Sequence, residues 1–295
     1  MKYFTSLLIL IITHQITAQL PGYVPASNLE GFYTYSGNIL DNSGNGHNNA
    51  NYNIVSTTDR FSSIMSALYF SGSGSEYLNY GDVDEFTPYQ ATFSFWINPE
   101  DYGSFSTEQV KPIISKWAAP SDLLGSSYNI MMNGTDLCFI LTDGATTDTL
   151  TASLSNIPLN QWSHVVITSN YGFIKFYINN VLITDTVSPI SSINLSDSDF
   201  KVGGWHQDIN PSFSSFTGKI DDIGIWDREL DACEVEALYT GMDCLTSAIE
   251  SLTIKEREVV KIIDLMGRET SLSPNTPLII IYSDGTAERI IYADF

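Results

Sequence analysis

The sequence predicts an all-β protein: an antiparallel jelly-roll β-sandwich with a short helix, followed by a small C-terminal β-sandwich module. Three observations carry this prediction. Short apolar or alternating runs recur along the chain, turn-forming Gly, Asn and Asp stand between them, and helical periodicity is almost absent. Apolar residues make up 43% of the 295 residues, so the chain can form a substantial buried core.

The predicted strands follow one another at short intervals. Phe93, Phe95 and Ile97 share one face of an alternating strand, whereas residues 162–168 are apolar on both faces, as in a central strand. Asn179 and Asn180 tolerate positive φ, so the runs that flank them are expected to form a tight hairpin. The strands are predicted at residues 67–70, 92–97, 112–117, 128–132, 137–141, 162–168, 173–178, 181–183 and from 218 onward.

One helix is predicted after residue 230. Asp231 can cap its start, Glu234 three residues later completes a capping-box pattern, and Gly241 can end it. Val235 and Leu238 fall on one face, so the helix is expected to cover one end of the sandwich.

The chain has three cysteines, and we expect one disulfide. Cys233 and Cys244 lie on either side of the short predicted helix, and an exported protein can keep disulfides. Cys138 stands between Leu137 and Phe139 and is expected to be a buried free thiol. Because there is no CxxC motif, a cysteine-type zinc site is not expected.

Residues 1–18 are predicted to be a secretory signal peptide. Lys2 supplies the positive start, residues 7–12 the apolar core, and Ala18 the small residue that cleavage needs. A transmembrane anchor is the alternative, but this apolar run is far shorter than the roughly 20 residues that span a bilayer. The protein is therefore expected to be secreted or held at the outer cell surface, without a transmembrane segment. Residues 19–30, with two prolines, are predicted to be a linker.

The formal net charge of -21 restricts the partners of the protein. An acidic surface repels nucleic acid and anionic membranes, so neither is expected to bind. The acidic excess falls from -20 over residues 19–250 to -2 over residues 251–295, which indicates that the tail is a separate unit. Strands are predicted in this tail at residues 259–265, 278–283 and 289–292.

A cation site is predicted where a loop and an acidic strand could meet. The strand that begins at Gly218 carries Asp221 and Asp222 in apolar surroundings, and a buried carboxylate is costly unless it is paired or bound to a metal. Asp221 alternates in step with Ile223 and Ile225 and is expected to point inward, with Asp222 at the surface. Residues 41–47 form a Gly- and Asn-rich loop with the oxygen ligands that calcium takes. The alternative is a plain loop that binds nothing.

Residues 31–246 resemble the laminin-G-like, concanavalin-A-like jelly roll of exported bacterial proteins. Two curved antiparallel sheets are the fold that this resemblance implies. It also implies that the loop joins Asp221 to bind a structural calcium ion, with Asp41, Asn45, His47 and Asp221 as ligands. The matching stretches are residues 41–47, 58–61, 93–97, 161–166, 176–180 and 218–226.

Residues 251–295 resemble the C-terminal sorting domain of the bacterial type IX secretion route. The matching stretches are residues 260–268 and 281–286, whereas Pro277 stands near the position where the family usually has a Gly. The resemblance implies that the type IX secretion machinery carries the protein through the outer membrane, followed by release or surface attachment.

No catalytic site is predicted, so the protein is not expected to be an enzyme. Jelly-roll glycosidases need two carboxylates roughly 5–10 Å apart that face the scissile bond. The alternating acidic pattern that would place them on a strand is absent, as are G-x-S-x-G, H-E-x-x-H and a phosphate-binding loop.

Aromatic residues in loops or at strand ends are the candidates for sugar binding, which needs aromatic platforms and a few polar groups. Trp117, Trp205 and His206 are the predicted ligand-binding residues, although each could instead belong to the core or its cover. The first hypothesis is a secreted, non-catalytic binding module that recognises a glycan or a cell-surface protein through a calcium-stabilised jelly roll. The alternatives are a surface adhesin or structural subunit that binds protein, and a polysaccharide lyase or hydrolase.

Overall fold

The computed structural model describes residues 20–48, 54–74, 76–104, 109–119, 121–205, 215–244, 259–271, 276–283, 285 and 287–291. The chain divides into two compact units, residues 1–243 and residues 244–295. The predicted signal peptide lies outside the described residues.

The larger sheet of the first unit has eight antiparallel strands. Seven follow the order β12-β11-β10-β5-β14-β3-β2, and β1 pairs with β14 off this path. Their bounds are Leu29–Tyr33 (β1), Val55–Thr57 (β2), Ala67–Ser71 (β3), Gln90–Pro99 (β5), Ser163–Asn170 (β10), Phe173–Ile178 (β11), Val181–Val187 (β12) and Thr217–Trp226 (β14).

The smaller sheet has six antiparallel strands in the order β4-β13-β6-β7-β8-β9. Their bounds are Leu78–Asn79 (β4), Lys111–Lys116 (β6), Tyr128–Met132 (β7), Asp136–Thr142 (β8), Thr147–Ser153 (β9) and Phe200–Val202 (β13). Single 3-10 turns at Asp84–Phe86 and Leu154–Asn156 lie between strands.

The core is formed by side chains from both sheets. Phe93 and Ile167 of the larger sheet belong to the same buried cluster as Ile130 and Phe139 of the smaller one, and the rings of Phe93 and Phe139 lie 5.9 Å apart. Burying apolar surface is the main stabilising term for such a fold. The predicted antiparallel jelly-roll sandwich is confirmed.

The helix α1 (Ala232–Thr240) begins and ends as predicted. Asp231 and Glu234 form a reciprocal capping box, and Gly241 closes the helix in a left-handed conformation with φ 73°. Its buried face, however, joins Phe32, Val166 and Trp226 in a second cluster. Since Val165 and Ile167 face the main core, Val166 faces the other way, and the helix covers the outer face of the larger sheet rather than an end of the sandwich.

The segment predicted as a linker packs onto this same outer face. Val24 is buried in the cluster of the helix, and Trp226 donates its indole hydrogen bond to the carbonyl oxygen of Pro25 at 2.7 Å. Leu29 already begins β1. The prolines suggested a linker, but the apolar residues between them supply a cover for a sheet face that the helix alone leaves open.

The cysteines behave as predicted. Cys233 and Cys244 are disulfide-bonded, and Cys138 is a buried free thiol.

The second unit contains a three-stranded antiparallel sheet among its described residues, whereas the sequence predicted a small β-sandwich. Its order is β15-β16-β17, with bounds Val259–Asp264, Pro277–Tyr282 and Ala287–Ile291. In the part of the chain that the structure describes, no helix is long and apolar enough to cross a membrane.

Candidate functional site

The acidic strand β14 is interrupted where its two acids stand. The pairing of β14 with β5 shifts register between Asp221 and Gly224, and Asp222 has φ 45°. This bulge breaks the alternation that placed Asp221 inward. Asp221 instead lies opposite Trp96, which faces away from the main core, and it is buried there with 2% of its surface exposed.

Arg60 neutralises this pair of carboxylates. Its Nη1 lies 2.8 Å from Asp222 Oδ2 and 3.4 Å from Asp221 Oδ2. The guanidinium also lies 4.3 Å from the ring centroid of Trp96, a cation–π distance. Sequence reasoning gave Arg60 no role, although a signal was present: it is the single Lys or Arg between residues 3 and 110 of a strongly acidic chain.

Burial sets the charge of this cluster. It raises the pKa of Asp221, repulsion from Asp222 raises it further, and Arg60 opposes both effects. Burial likewise raises the pKa of Asp222, against the attraction of Arg60. Two buried carboxylates this close favour sharing one proton, and Arg60 then balances the remaining negative charge. No added cation is needed for neutrality.

The predicted calcium loop is organised around Asp41 by hydrogen bonds. Asp41 Oδ1 accepts from the backbone amides of Phe32 (3.1 Å) and Ser43 (2.9 Å). Asp41 Oδ2 accepts from the amides of Gly46 (3.0 Å) and His47 (3.1 Å) and from the Ser43 hydroxyl (2.8 Å). N–H and O–H hydrogens therefore occupy the positions around both Asp41 carboxylate oxygens where a cation would have to bind.

The other predicted calcium ligands of the loop, Asn45 and His47, also take part in hydrogen bonds within the protein. The side-chain amide of Asn45 donates to the carbonyl oxygen of Leu29 at 2.8 Å, and the carbonyl oxygen of His47 accepts from the Tyr33 hydroxyl at 2.7 Å. Among the described residues, no group of three His, Cys, Asp or Glu side chains lies where it could hold a metal ion. Asp41, Asn45, His47 and Asp221 thus do not fit the predicted calcium site in this arrangement, and calcium binding has no support from their geometry.

The two predicted sugar-binding tryptophans, Trp117 and Trp205, are buried or partly buried. Trp117 is buried, with 4% of its surface exposed, so its ring offers no face to a ligand. Trp205 is partly buried and packs against Val110, Met131 and Cys138. His206 lies outside the described residues.

His164 is a buried residue of β10, on the same face as Trp96. Its ring is buried, its Nε2 lies 2.9 Å from the Ser94 hydroxyl oxygen, and it stacks on Trp96 at 5.0 Å. Burial lowers the pKa of His164 to about 3. The imidazole is therefore neutral at physiological pH and packs as an uncharged ring.

A pocket at one end of the larger sheet carries the features of a binding site, and we call it the Tyr89 pocket. Its volume is about 300 Å³. Tyr89 stands just before β5, Asp143 lies in the β8–β9 turn, and Ser192–Leu195 belong to the β12–β13 connection. The pocket is lined by Thr87, Tyr89, Asp143, Ser192, Ile193, Asn194 and Leu195.

The apolar rim of the Tyr89 pocket is exposed to an unusual degree. Tyr89 is 71% and Leu195 61% exposed, and Leu124 beside the pocket residue Asn194 is 76% exposed. No hydrogen bond engages the Tyr89 hydroxyl among the described residues. Large apolar side chains held at one rim in this way are typical of an interaction site.

The polar wall of the Tyr89 pocket is preorganised. The Asn194 side-chain amide donates to the carbonyl oxygens of Leu124 (2.9 Å) and Ser126 (2.8 Å), and its backbone amide donates to Thr142 (2.7 Å). Asp143 Oδ1 accepts from the backbone amides of Ala145 and Thr146, and these bonds lower the pKa of Asp143. The pocket therefore presents an ionised carboxylate on loops tied together by Asn194.

A second pocket of about 290 Å³ is less suited to a sugar. Three of its described lining residues are acids, and none of them is aromatic. It offers no stacking platform, so the Tyr89 pocket is the stronger candidate site.

Comparison with known proteins agrees with this architecture. The model of the Concanavalin A-like lectin/glucanases superfamily matches residues 71–236, more than half of the chain. The chain belongs to this superfamily. No curated protein is detectably similar to it in sequence.

Two solved structures illustrate the shared fold of the superfamily. Domain 4 of AbnA, a GH43 extracellular arabinanase from Geobacillus stearothermophilus solved with arabinotriose, has a TM-score of 0.54 and 19% identity, over 72% of this chain and 98% of that domain. The botulinum neurotoxin serotype D ligand-binding domain solved with N-acetylneuraminic acid has a TM-score of 0.55 and 18% identity. That match covers 91% of this chain and 63% of the neurotoxin domain. Identities this low establish the fold alone.

Proposed function

We propose that the protein is a secreted, non-catalytic carbohydrate-binding module whose ligand lies in the Tyr89 pocket. The observation that carries this proposal is the exposed Tyr89 ring above a preorganised polar wall. Sugars present an apolar ring face and polar edges, so an aromatic platform with carboxylate, amide and hydroxyl groups beside it is suited to them.

The fold supports a carbohydrate ligand. Neighbours with this fold were solved with arabinotriose and with N-acetylneuraminic acid. The described lining of the pocket also favours binding over hydrolysis, because it has one carboxylate, Asp143, whereas glycoside hydrolysis uses two.

The first test is binding of the protein to a panel of glycans and polysaccharides, in calcium and again in chelator. We expect binding to a glycan class that Tyr89→Ala weakens by about tenfold, since a stacked ring contributes on the order of 1 kcal/mol beyond its buried area. Phe61→Ala is the matched control, because Phe61 is 73% exposed on a different loop and does not line the pocket. Equal loss in both variants, or no binding at all, would reject this assignment.

A protein-binding adhesin is the second candidate, and one surface favours it. The β2–β3 connection exposes Phe61, Ile64 and Met65 together. Apolar residues grouped on a loop are typical of protein contacts. In a cell-attachment assay with purified protein as competitor, this role predicts that Phe61→Ala relieves the competition and that free sugars do not.

Export is part of the proposal and rests on two segments of sequence. Residues 1–18 have the organisation of a signal peptide, and residues 251–295 resemble a type IX sorting domain. The arabinanase whose domain 4 shares this fold is an extracellular enzyme, which supports a role outside the cell.

A further inference from the structure

A second exposed tyrosine lies next to the Tyr89 pocket. The pairing of β5 with β10 ends at Gln90 and Asn170, so Tyr89 and Tyr171 are the first residues beyond the last pair on two neighbouring strands. Neighbouring strands lie roughly 4.8 Å apart. The two tyrosines therefore emerge side by side at the same end of the larger sheet.

The turn that carries Tyr171 is tied to the wall of the pocket. Ser188 donates its backbone hydrogen bond to the carbonyl oxygen of Gly172 at 2.7 Å. A Cβ at Gly172 would lie 2.7 Å from the Ser188 carbonyl oxygen and 3.3 Å from that of Ile190. The β12–β13 connection, which contains both residues, therefore packs closely against the turn. The same connection continues into Ser192–Leu195 and lines the pocket.

Packing does not explain Tyr171. Its side chain is 59% exposed, and no hydrogen bond engages its hydroxyl among the described residues. Its φ of 49° and the φ of 90° at Gly172 are the left-handed conformations that a two-residue hairpin turn between β10 and β11 requires. The turn explains this backbone conformation, whereas the exposed ring is left available for a ligand.

The charge of the pocket restricts its ligand. Among the described residues that line it, Asp143 is the one charged residue, and none is Lys, Arg or His. The chain as a whole carries a formal charge of -21. A uronate or sulfated sugar would meet repulsion here, whereas neutral sugar hydroxyls can donate hydrogen bonds to the carboxylate.

We infer that the ligand of this site is a neutral polysaccharide chain, with one sugar residue on Tyr89 and the adjacent one on Tyr171. This inference rests on the proposed carbohydrate-binding function and adds the length and the charge of the ligand. A single terminal sugar would use one platform only, so the affinity depends on chain length.

Calorimetric titration of the purified full-length protein tests this inference. The probes are arabino-, xylo- and cello-oligosaccharides of one to six units, with oligogalacturonates of the same lengths as anionic counterparts. We expect a neutral series to bind with affinity that rises from the monosaccharide to the trisaccharide. Tyr171→Ala should remove that rise, so that the trisaccharide binds this variant roughly tenfold more weakly than it binds the wild type. Tyr171→Phe keeps the ring and should keep the rise, and equal melting temperatures of the variants show that the fold is intact.

The outcomes separate this inference from the proposed function. Glycan binding that depends on Tyr89 but not on Tyr171 or on chain length overturns the two-platform site and leaves the carbohydrate-binding function standing. Tighter binding of oligogalacturonates than of every neutral series overturns the neutral ligand. No binding of any oligosaccharide overturns both the function and the inference.

Discussion

At the scale of single residues, Arg60 decides how the acidic strand is neutralised. The sequence identified Asp221 correctly as a buried acid that needs compensation, since a buried carboxylate without a partner is costly. It assigned the compensation to a metal ion, and the structure supplies it with an arginine from a distant loop. Which cation reaches a buried acid depends on tertiary packing, which the pattern of one strand does not contain.

The first prediction concerns the pH dependence of stability. The folded protein keeps a proton on the Asp221–Asp222 pair at pH values where unfolded carboxyls, with a pKa of about 4, have lost theirs. The folded state then binds more protons than the unfolded state, so this pair makes the free energy of unfolding fall as pH rises above about 4. Asp221→Asn should flatten that fall by up to about 1.4 kcal/mol per pH unit, measured by urea unfolding between pH 4 and 8.

Asp227→Asn is the control for this series, because Asp227 is an exposed carboxylate on the same segment. It should keep the wild-type dependence. Parallel curves for the wild type and Asp221→Asn would show that Asp221 does not carry the proton.

The second prediction concerns calcium and the loop around Asp41. The Asp41 carboxylate already accepts five hydrogen bonds, so the melting temperature of the protein should be the same in calcium and in chelator. Asp41→Ala should lower the free energy of unfolding by about 2 kcal/mol or more, equally in both conditions, since several charge-assisted hydrogen bonds are lost. A calcium-dependent rise in melting temperature that Asp41→Ala or Asp221→Ala abolishes would establish the ion site that the sequence predicted.

At the scale of elements, alternation and capping predicted the secondary structure well. The capping box and the closing glycine of the helix were predicted from Asp231, Glu234 and Gly241 alone, because these caps depend on contacts between residues close in sequence. The face of Asp221 was predicted incorrectly, because a bulge shifts every following residue by one position and has no strong sequence signal. Five strands, β1, β2, β4, β9 and β13, were also missed. Of these, β2, β4 and β13 have two or three residues, which are too few for a periodic pattern.

The third prediction tests the helix start. Asp231→Ala removes the acceptor for the Glu234 amide, a hydrogen bond of 2.9 Å, and should lower the free energy of unfolding by about 1 kcal/mol. Urea unfolding of the two proteins measures this difference. Glu236→Ala, on the same helix but outside the cap, should change stability by less than about half as much. A comparable loss in both variants would mean that the effect is not one of capping.

At the scale of the whole molecule, the fold was predicted from sequence and the binding surface was not. Strand pattern and the resemblance of residues 31–246 both indicated the sandwich, because repeated apolar faces specify two layers that pack on each other. The Tyr89 pocket joins residues from three connections far apart in sequence, so no local pattern marks it. Trp117 was chosen for its residue type and its loop position, but it is buried, and exposure depends on tertiary structure.

The last prediction concerns the two units of the chain. The acidic unit and the C-terminal unit differ in charge and are compact separately, as expected for a binding module joined to an export signal. If residues 251–295 act as a type IX sorting domain, deleting them should retain the protein inside the outer membrane of a host with that secretion route. The full-length protein should reach the medium or the cell surface, and both can be followed by immunoblotting of cell fractions.

A matched control separates a sorting signal from a folding requirement. The deletion ends after residue 250, so it keeps Cys233 and Cys244 and the whole jelly-roll unit. The periplasmic fraction should then contain a folded protein with the wild-type melting transition of that unit. Transfer of residues 251–295 to an unrelated periplasmic protein should carry that protein outside the cell. Export of the truncated chain at the wild-type level would assign the tail a role other than sorting, such as a structural or docking one.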